Sequence, residues 1–383
     1  MNQLLQGRAT PTGTRAYAER HAAIDPPVAP GHFRAWKGMG QGLEEGLMLS
    51  SIGLGTYLGS DDEATDRLYG AAIERAFELG CNVIDSAINY RSQRSERSVG
   101  AALAHAVAAG TLGREEIVIS TKGGYVPFDG SRPQNYRAYL EETYLRPGII
   151  PREELVEECH CLAPRYLEDQ IERSRRNLGL GAIDIYYLHN PETQLDAVPR
   201  EEFRRRLRAA FTVLEAACAD GRIGVYGAAT WTGFRQRAGT REELDLEELL
   251  GLAAEVGGRD HHFRVVQLPI NLTMLEAHEL ANQRSGGSLR PFLAVAAQHG
   301  VLVMASASVQ QGRLTRNLPA QLRQKLSGLQ TDAQRALQVV RSLPGLGTAL
   351  VGMKQKAHVE ENLSVARVPP LASDELAALL PSA

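Results

Sequence analysis

Eight short apolar segments, separated by helix-like segments, constrain the fold more than any other feature of this sequence. Between them apolar residues recur three and four positions apart, as at Leu68, Ala72, Ala76 and Leu79, the spacing of an amphipathic helix. The apolar segments are L-M-L-S-S-I-G-L-G from 47, N-V-I-D from 82, E-I-V-I-S-T from 116, I-D-I-Y-Y-L-H from 183, I-G-V-Y-G-A-A-T from 223, F-R-V-V-Q-L from 263, V-L-V-M-A-S from 301 and T-A-L-V-G from 348. Strands that alternate with helices predict a parallel sheet covered by helices. The number eight favours a closed (β/α)8 barrel, and a doubly wound open sheet is the alternative.

Two regions depart from this repeat. Residues 1–33 are polar, contain several prolines and lack periodicity, so we expect an N-terminal arm that is extended or partly disordered. Residues 34–383 then form a single barrel domain. The third and fourth apolar segments lie about half a repeat further apart than the others do, which places an insertion at 123–163. Because this insertion is rich in aromatic residues, we expect an ordered flap over one end of the barrel, carrying a short helix.

Composition excludes several classes of function. The net charge of −3 provides no basic surface for nucleic acid, so no nucleic-acid partner is expected. The chain has no apolar run long enough to cross a membrane and no leader-like N-terminus, so we expect a cytoplasmic protein without a membrane partner. Its four cysteines fit a reducing compartment. Cys159, His160 and Cys161 could suggest a metal, but no second ligand pair stands nearby, and we expect none.

Ionisable side chains end three successive apolar segments. Asp85, Lys122 and His189 hold these positions, and Tyr90 follows five residues after Asp85. Each alone could be a loop residue or a cap. Together they would meet at the C-terminal rim of a barrel, where barrel enzymes build their active sites. There a lysine ammonium, held by the aspartate, would lower the pKa of the tyrosine and make it an acid for a carbonyl oxygen, while the histidine orients the carbonyl. Reduction also needs a hydride, which no side chain supplies.

The segments around these residues resemble the aldo-keto reductases. The resemblance lies in G-C-N-V-I-D-S-A-I-N-Y, I-V-I-S-T-K and I-D-I-Y-Y-L-H-N-P, and also in G-L-G-T at 53–56, R-S-E-R-S-V-G at 94–100 and D-G-R-I-G-V-Y-G at 220–227. It covers roughly residues 36–367. It implies a (β/α)8 barrel that reduces aldehydes or ketones with NAD(P)H. It also implies that Tyr90 is the general acid, that Lys122 and Asp85 tune it, and that His189 positions the substrate.

The same resemblance identifies a cofactor segment, V-G-M-K-Q-K-A-H-V-E-E-N-L at 351–363, where a helix N-terminus and nearby lysines would receive phosphate. Lys354 and Lys356 could neutralise a 2′-phosphate, so NADPH is expected rather than NADH. Gln267 matches the residue that holds the nicotinamide carboxamide. The full set of expected cofactor residues is Gly55, Thr56, Thr230, Gln267, Ser306, Gln311, Gly312, Gly352, Lys354, Lys356, His358, Glu361 and Asn362. The expected substrate pocket consists of Tyr57, Tyr125, Asn190 and Trp231.

Three positions differ from the family pattern. Ala229-Thr230-Trp231 stands where the family usually has Ser-Asn, Ala305 replaces an aromatic residue, and Lys354-Gln355 replaces Ser-Arg. The prediction that follows is an NADPH-dependent reductase of a small carbonyl compound. The alternatives are an NADP-binding regulatory or partner-binding protein with little turnover, and a metal-dependent barrel hydrolase that uses the Cys159–Cys161 cluster.

Overall fold

The computed structural model describes residues 4–38 and 46–380, and its central feature is a closed barrel of eight parallel strands. The strands are β1 (Phe33–Trp36), β2 (Leu47–Ser50), β3 (Ile52–Gly55), β4 (Val83–Asp85), β5 (Val118–Gly123), β6 (Ile183–His189), β7 (Ile223–Ala229), β8 (Phe263–Pro269), β9 (Ala281–Ser285), β10 (Ser288–Pro291), β11 (Leu302–Ser306) and β12 (Thr348–Gly352). Around the barrel the order is β3, β4, β5, β6, β7, β8, β11 and β12. The predicted (β/α)8 barrel is confirmed.

A helix follows each barrel strand and covers the outside of the barrel. The helices are α1 (Pro11–Ala23), α2 (Glu63–Glu78), α3 (Arg94–Ala108), α4 (Tyr136–Leu140), α5 (Pro164–Leu178), α6 (Arg200–Ala219), α7 (Leu246–Gly257), α8 (Glu276–Glu279), α9 (Phe292–Gln298), α10 (Ala320–Lys325), α11 (Asp332–Arg341), α12 (Lys356–Leu363) and α13 (Ser373–Leu379). None of the helices in the described ranges is both long and apolar enough to cross a membrane.

The apolar side chains of the strands form two layers because successive residues face opposite sides of a strand. Inside the barrel lie Val83, Val118, Ile185, Val225 and Val265, together with Leu302, Met304 and Leu350. Trp36, Leu47 and Leu49 belong to the same cluster. They come from the antiparallel pair β1–β2, which packs on the interior at the N-terminal end of the barrel. The other end is thereby left for the site.

The segment predicted as one strand from residue 47 to 55 is two strands. β2 pairs with β1, whereas β3 pairs with β12 and β4 in the barrel. The chain turns at Ser50 and Ser51, where the Ser50 hydroxyl donates to the Ile52 carbonyl at 2.8 Å and the Asn82 side chain accepts from the Ser50 amide at 2.8 Å. These serines mark the break between the two apolar runs.

The prediction of an extended or disordered arm over residues 1–33 is wrong for residues 11–23, which form α1. The Thr10 side chain caps this helix, and Pro11 stands in its first turn, where a missing N–H costs nothing. Tyr17 is 1% exposed, and its hydroxyl donates to the Phe77 carbonyl at 2.5 Å. Helix α1 packs through Tyr17 and through residues that are small or polar, namely Gly13, Thr14, Ala18 and His21, so it shows no amphipathic periodicity in the sequence.

The insertion at 123–163 contains the predicted short helix, α4, which continues as a π-helical turn at Glu141–Leu145. It has an apolar cluster of its own, separate from the barrel core. That cluster contains Val126, Leu140, Tyr144, Ile150, Cys161 and Ala163, with Tyr166 from α5. The insertion therefore has a hydrophobic cluster of its own, which packs against helix α5 through Tyr166.

The contact of α1 with the barrel predicts a stability effect. Tyr17→Ala should lower the free energy of unfolding by about 3–5 kcal/mol, because a buried aromatic ring is lost and a cavity is left. Glu19→Ala, on the exposed face of the same helix, should change it by less than about 0.5 kcal/mol. Urea unfolding measures both. A change as small for Tyr17→Ala as for Glu19→Ala would mean that α1 does not contribute to the fold.

Candidate active site

A buried ion pair joins the ends of β4 and β5. Asp85 is 4% exposed and Lys122 is 1% exposed, and the Lys122 ammonium lies 2.6 Å from Asp85 Oδ2. The ammonium also donates to the Ser86 carbonyl at 2.6 Å. The other carboxylate oxygen accepts from the Ser120 hydroxyl at 2.7 Å and from Gln267 Nε2 at 2.9 Å. Parallel pairing of the strands puts both residues at one rim, and the surrounding bonds satisfy both charges.

Tyr90 is presented to this pair by the turn that follows β4. The Ile88 amide donates to the Lys122 carbonyl at 3.2 Å, and the Lys122 ammonium lies 4.8 Å from the centroid of the Tyr90 ring. Residues 91–93 then take three consecutive left-handed conformations, which cost free energy for residues other than glycine. Arg91 compensates by an ion pair with Asp66 at 2.6 Å. Side-chain contacts therefore hold a strained turn that fixes Tyr90 in place.

The pKa of Tyr90 is shifted in the direction opposite to the one predicted. Burial first, and then the Asp85 carboxylate, raise the pKa of Tyr90 well above its usual value. Burial also lowers the pKa of Lys122, and Asp85 opposes that change. We expected Asp85 only to hold the ammonium in place, whereas its negative charge also raises the pKa of Tyr90. Tyr90 is consequently a neutral phenol, with its proton available for donation.

His189, at the end of β6, completes the group. Its ring lies 5.8 Å from that of Tyr90 and 5.1 Å from that of Tyr125, edge to face in both cases. Burial, and then the Lys122 charge, lower the pKa of His189 well below its usual value, so the imidazole is neutral. Its Nδ1 is buried without a hydrogen-bond partner in the described parts of the chain. The structure thus brings all four predicted catalytic residues together.

A cleft of about 1160 Å³ opens over these side chains at the C-terminal end of the barrel. Its walls contain the predicted catalytic residues Asp85, Tyr90 and His189; the expected cofactor residues Gly55, Thr56, Thr230, Gln267, Ser306, Gln311, Gly312, Gly352, Lys354, His358, Glu361 and Asn362; and the expected substrate residues Tyr57, Tyr125, Asn190 and Trp231. Lys122 is buried and does not line the cleft. Lys356 does not line the cleft: it is exposed in the first turn of α12.

The cleft is also lined by residues that are not among those predicted from the sequence. Arg313 and Arg316 follow Gln311-Gly312, and Asn89 directly precedes Tyr90. Arg313 lies in a kinked 3₁₀-helical segment after β11, Gln310–Thr315, and Arg316 directly follows it; no periodicity in the sequence predicts this segment. The sequence offered one indication of their role, because both arginines closely follow Gln311-Gly312, which is an expected cofactor contact.

The walls formed after β11 and β12 fit a phosphate-bearing dinucleotide. Arg313, Arg316 and Lys354 line this part of the cleft, and none forms an ion pair within residues 4–38 and 46–380. Asn362 Oδ1 and Thr230 Oγ1 are buried at the cleft with no partner among the described residues. Cations that can neutralise phosphates, and polar atoms without partners, are what such a cofactor requires.

A second buried carboxylate shapes the loop after β7. Glu192 Oε1 accepts from the backbone amides of Trp231, Thr232 and Gly233 at 2.7, 3.0 and 3.3 Å. Burial raises the pKa of Glu192, and these amide bonds oppose the shift. The loop that carries Trp231 into the cleft is thus tied to the segment that follows His189.

The Cys159–Cys161 segment has no metal-binding arrangement. Across the described ranges, no three or more His, Cys, Asp or Glu side chains are grouped so that they could hold a metal ion. His160 is instead hydrogen-bonded on both ring nitrogens, to the Gln194 side chain and the His189 carbonyl.

Comparisons with known proteins point to one family. The model of the aldo/keto reductase family matches residues 51–380. A D-threo-aldose 1-dehydrogenase from Pseudomonas sp. is 30% identical over 195 residues, 50% of this chain and 51% of the relative. The bovine prostaglandin F synthase 1 is 26% identical over 149 residues, 39% of this chain and 34% of that protein. The chain therefore spans about half the length, or less, of these curated relatives.

Solved structures share the fold. An aldo/keto reductase from Klebsiella pneumoniae, in complex with NADP and acetate, is 21% identical, with 88% of this chain and 95% of that chain covered and a TM-score of 0.58. The glycerol dehydrogenase of Gluconobacter oxydans is 18% identical, with 92% and 94% covered and a TM-score of 0.59. At these identities the likeness concerns the barrel itself.

Proposed function

Because this chain belongs to the aldo/keto reductase family, we propose that it reduces an aldehyde or ketone to an alcohol with NADPH, with Tyr90 as the general acid. The observation that carries the proposal is the convergence of Tyr90, His189 and the Lys122–Asp85 pair on one wall of the cleft. When bound, NADPH supplies the hydride that no side chain can provide.

Tyr90 is suited to donate a proton late in the reaction. The oxygen of a carbonyl is a weak base, but it becomes a strong base as negative charge develops on it. A phenol with a raised pKa keeps its proton until that point and then transfers it. The Lys122 ammonium, over the ring face, stabilises the phenolate that is left. The neutral His189 imidazole accepts or donates one hydrogen bond and so orients the carbonyl.

NADPH is the proposed cofactor, in preference to NADH. Lys354, Arg313 and Arg316 offer several cations at one end of the cleft, and a 2′-phosphate adds negative charge that only NADPH carries. Gln267, Thr230 and Asn362 would hold its amide and hydroxyl groups. The Klebsiella protein of the same fold binds NADP, which is consistent with this choice.

The substrate is proposed to be a neutral, hydroxylated carbonyl compound such as an aldose. Tyr57, Tyr125 and Trp231 place aromatic surface in the cleft, and Asn89 and Asn190 place amides there. The Lys and Arg residues among the described lining residues all follow β11 or β12, so a substrate carboxylate would find no such partner near Tyr90. The Pseudomonas relative is, by its name, a dehydrogenase of aldoses.

A substrate comparison tests this class. The value of kcat/KM for glyceraldehyde should exceed that for glyoxylate by about tenfold or more, since an unpaired buried carboxylate costs more than about 1.4 kcal/mol. The measurement is the loss of NADPH absorbance at equal cofactor saturation. A preference for glyoxylate would show that a cation reaches the substrate and that the class is wrong.

The role of Tyr90 predicts a selective loss of activity. Tyr90→Phe should slow reduction by about 10²- to 10⁴-fold, because the ring stays and only the acid is lost. The dissociation constant for NADPH, from fluorescence titration, should change by less than about twofold. Tyr57→Phe removes a hydroxyl from the exposed ring that packs on Tyr90 and should keep most of the activity.

Two outcomes would count against this account. Turnover retained in Tyr90→Phe would mean that another group is the acid. If the unaltered chain binds NADPH but reduces no aldehyde or ketone, the regulatory alternative replaces the enzyme.

A further inference from the structure

The insertion contributes a histidine to the base of the active site. We infer that His160 is a positioning residue for His189: it donates a hydrogen bond to the main-chain carbonyl of His189, and Gln194 and Arg206 fix the ring tautomer that makes this donation possible. The inference rests on the proposed function in assigning His189 to the substrate carbonyl. The chain of hydrogen bonds itself stands on geometry and can be tested without turnover.

His160 reaches the barrel because the two ends of the insertion pair with each other. Tyr125 and His160 form an antiparallel bridge. The Val126 amide donates to the Cys159 carbonyl at 2.7 Å, and the Cys161 amide donates to the Gly124 carbonyl at 2.9 Å. The returning end of the insertion is thereby fixed beside the end of β5, and the His160 side chain lies under the end of β6.

The contact between His160 and His189 is close, and the His160 side chain is buried. His160 is 0% exposed, and its Nε2 lies 2.7 Å from the His189 carbonyl oxygen. A Cβ on Gly124 would lie 2.9 Å from that oxygen and 3.0 Å from His160 Nε2. Gly124 also has a φ of +146°, which side chains rarely adopt. Glycine at 124 therefore makes room for this hydrogen bond.

The tautomer of the His160 ring follows from the donor at the far end of this series of hydrogen bonds. An arginine can only donate, so the Arg206 guanidinium, 2.6 Å from Gln194 Oε1, fixes that atom as the oxygen of the amide. Gln194 Nε2 must then donate to His160 Nδ1 at 2.7 Å. With Nδ1 an acceptor, the proton of the neutral ring is on Nε2, which donates to His189. Burial lowers the pKa of His160 to about 4, so this tautomer persists at neutral pH.

The arrangement reaches both the ring and the backbone of the active site. The Tyr125 ring contacts the His160 ring at 4.9 Å and the His189 ring at 5.1 Å, between centroids. Directly after His189 the chain turns sharply, because Asn190 takes a left-handed φ of 46°. Holding the carbonyl that precedes this turn fixes where β6 ends, and with it the height of the His189 ring above Lys122 and Tyr90.

The first experiment compares three variants of the full chain. His160→Leu should lower kcat by about tenfold to 10²-fold, as expected when a group at the reacting carbonyl is displaced by about 1 Å. His160→Gln, whose amide nitrogen can reach the Nε2 position, should recover most of that loss. Cys159→Ala is the control, since its side chain lies outside the chain of bonds, and it should keep wild-type kcat. The dissociation constant for NADPH should stay within about twofold in all three.

Equal losses in His160→Leu and His160→Gln would show that the ring matters for packing and would overturn the inference. So would a kcat within about twofold of wild type in a folded His160→Leu.

The second experiment measures the tautomer directly. In protein labelled with ¹⁵N-histidine, the resonances that disappear in His160→Gln belong to His160. They should report a protonated Nε2 and a bare Nδ1, unchanged between about pH 5.5 and pH 8, a range in which an ordinary histidine titrates. A proton on Nδ1, or titration in this range, would overturn the inference. Because no substrate is involved, this result is independent of the proposed function.

Discussion

The site depends on one interaction, the buried ion pair of Lys122 and Asp85. An unpaired charge at either position would cost several kcal/mol, so each residue requires the other. Parallel pairing of β4 and β5 brings them to one rim, where Ser86, Ser120 and Gln267 satisfy the remaining donors and acceptors. Because the ammonium has a matched partner, it lies over the Tyr90 ring without making that phenol acidic in the resting state.

Loops set the other groups around this pair. Tyr90 is held by a left-handed turn that Arg91 ties to Asp66, and Trp231 is carried by a loop whose amides Glu192 binds. His189 ends a strand whose carbonyl meets the insertion. The barrel provides a rigid rim, and buried polar side chains from elsewhere in the chain fix what projects from it. These contacts join residues that are far apart in the sequence. The geometry of the cleft is therefore sensitive to substitutions at positions that do not line it.

The sequence predicts the parts of this structure that depend on local patterns. The apolar strands and the polar residues that end them locate the barrel and its rim, and the aromatic insertion indicates ordered structure. The sequence does not predict α1, because that helix packs through small or polar residues and Tyr17. It also does not predict the break at Ser50 and Ser51, because apolar runs adjoin it on both sides. The place of Arg313 and Arg316 in the cleft is likewise not predictable, because the segment that carries them has no periodic pattern of apolar residues. The direction of the Tyr90 pKa shift is not predictable from the sequence, because it depends on the burial of the phenol and on its distance from Asp85, which only the fold determines.

The central claim is that the Lys122–Asp85 pair prepares this rim for hydride transfer to a carbonyl. It is tested most directly by a single turnover with NADPH that carries deuterium at both C4 positions of the nicotinamide, in the unaltered chain and in Asp85→Asn/Lys122→Met, which removes both charges together. The account predicts one deuterium in the alcohol product, on the carbon that was the carbonyl carbon of the substrate, and transfer slowed by about 10²-fold or more in the double variant although NADPH still binds. Transfer at equal rates in the two proteins, or a product without deuterium, would contradict it.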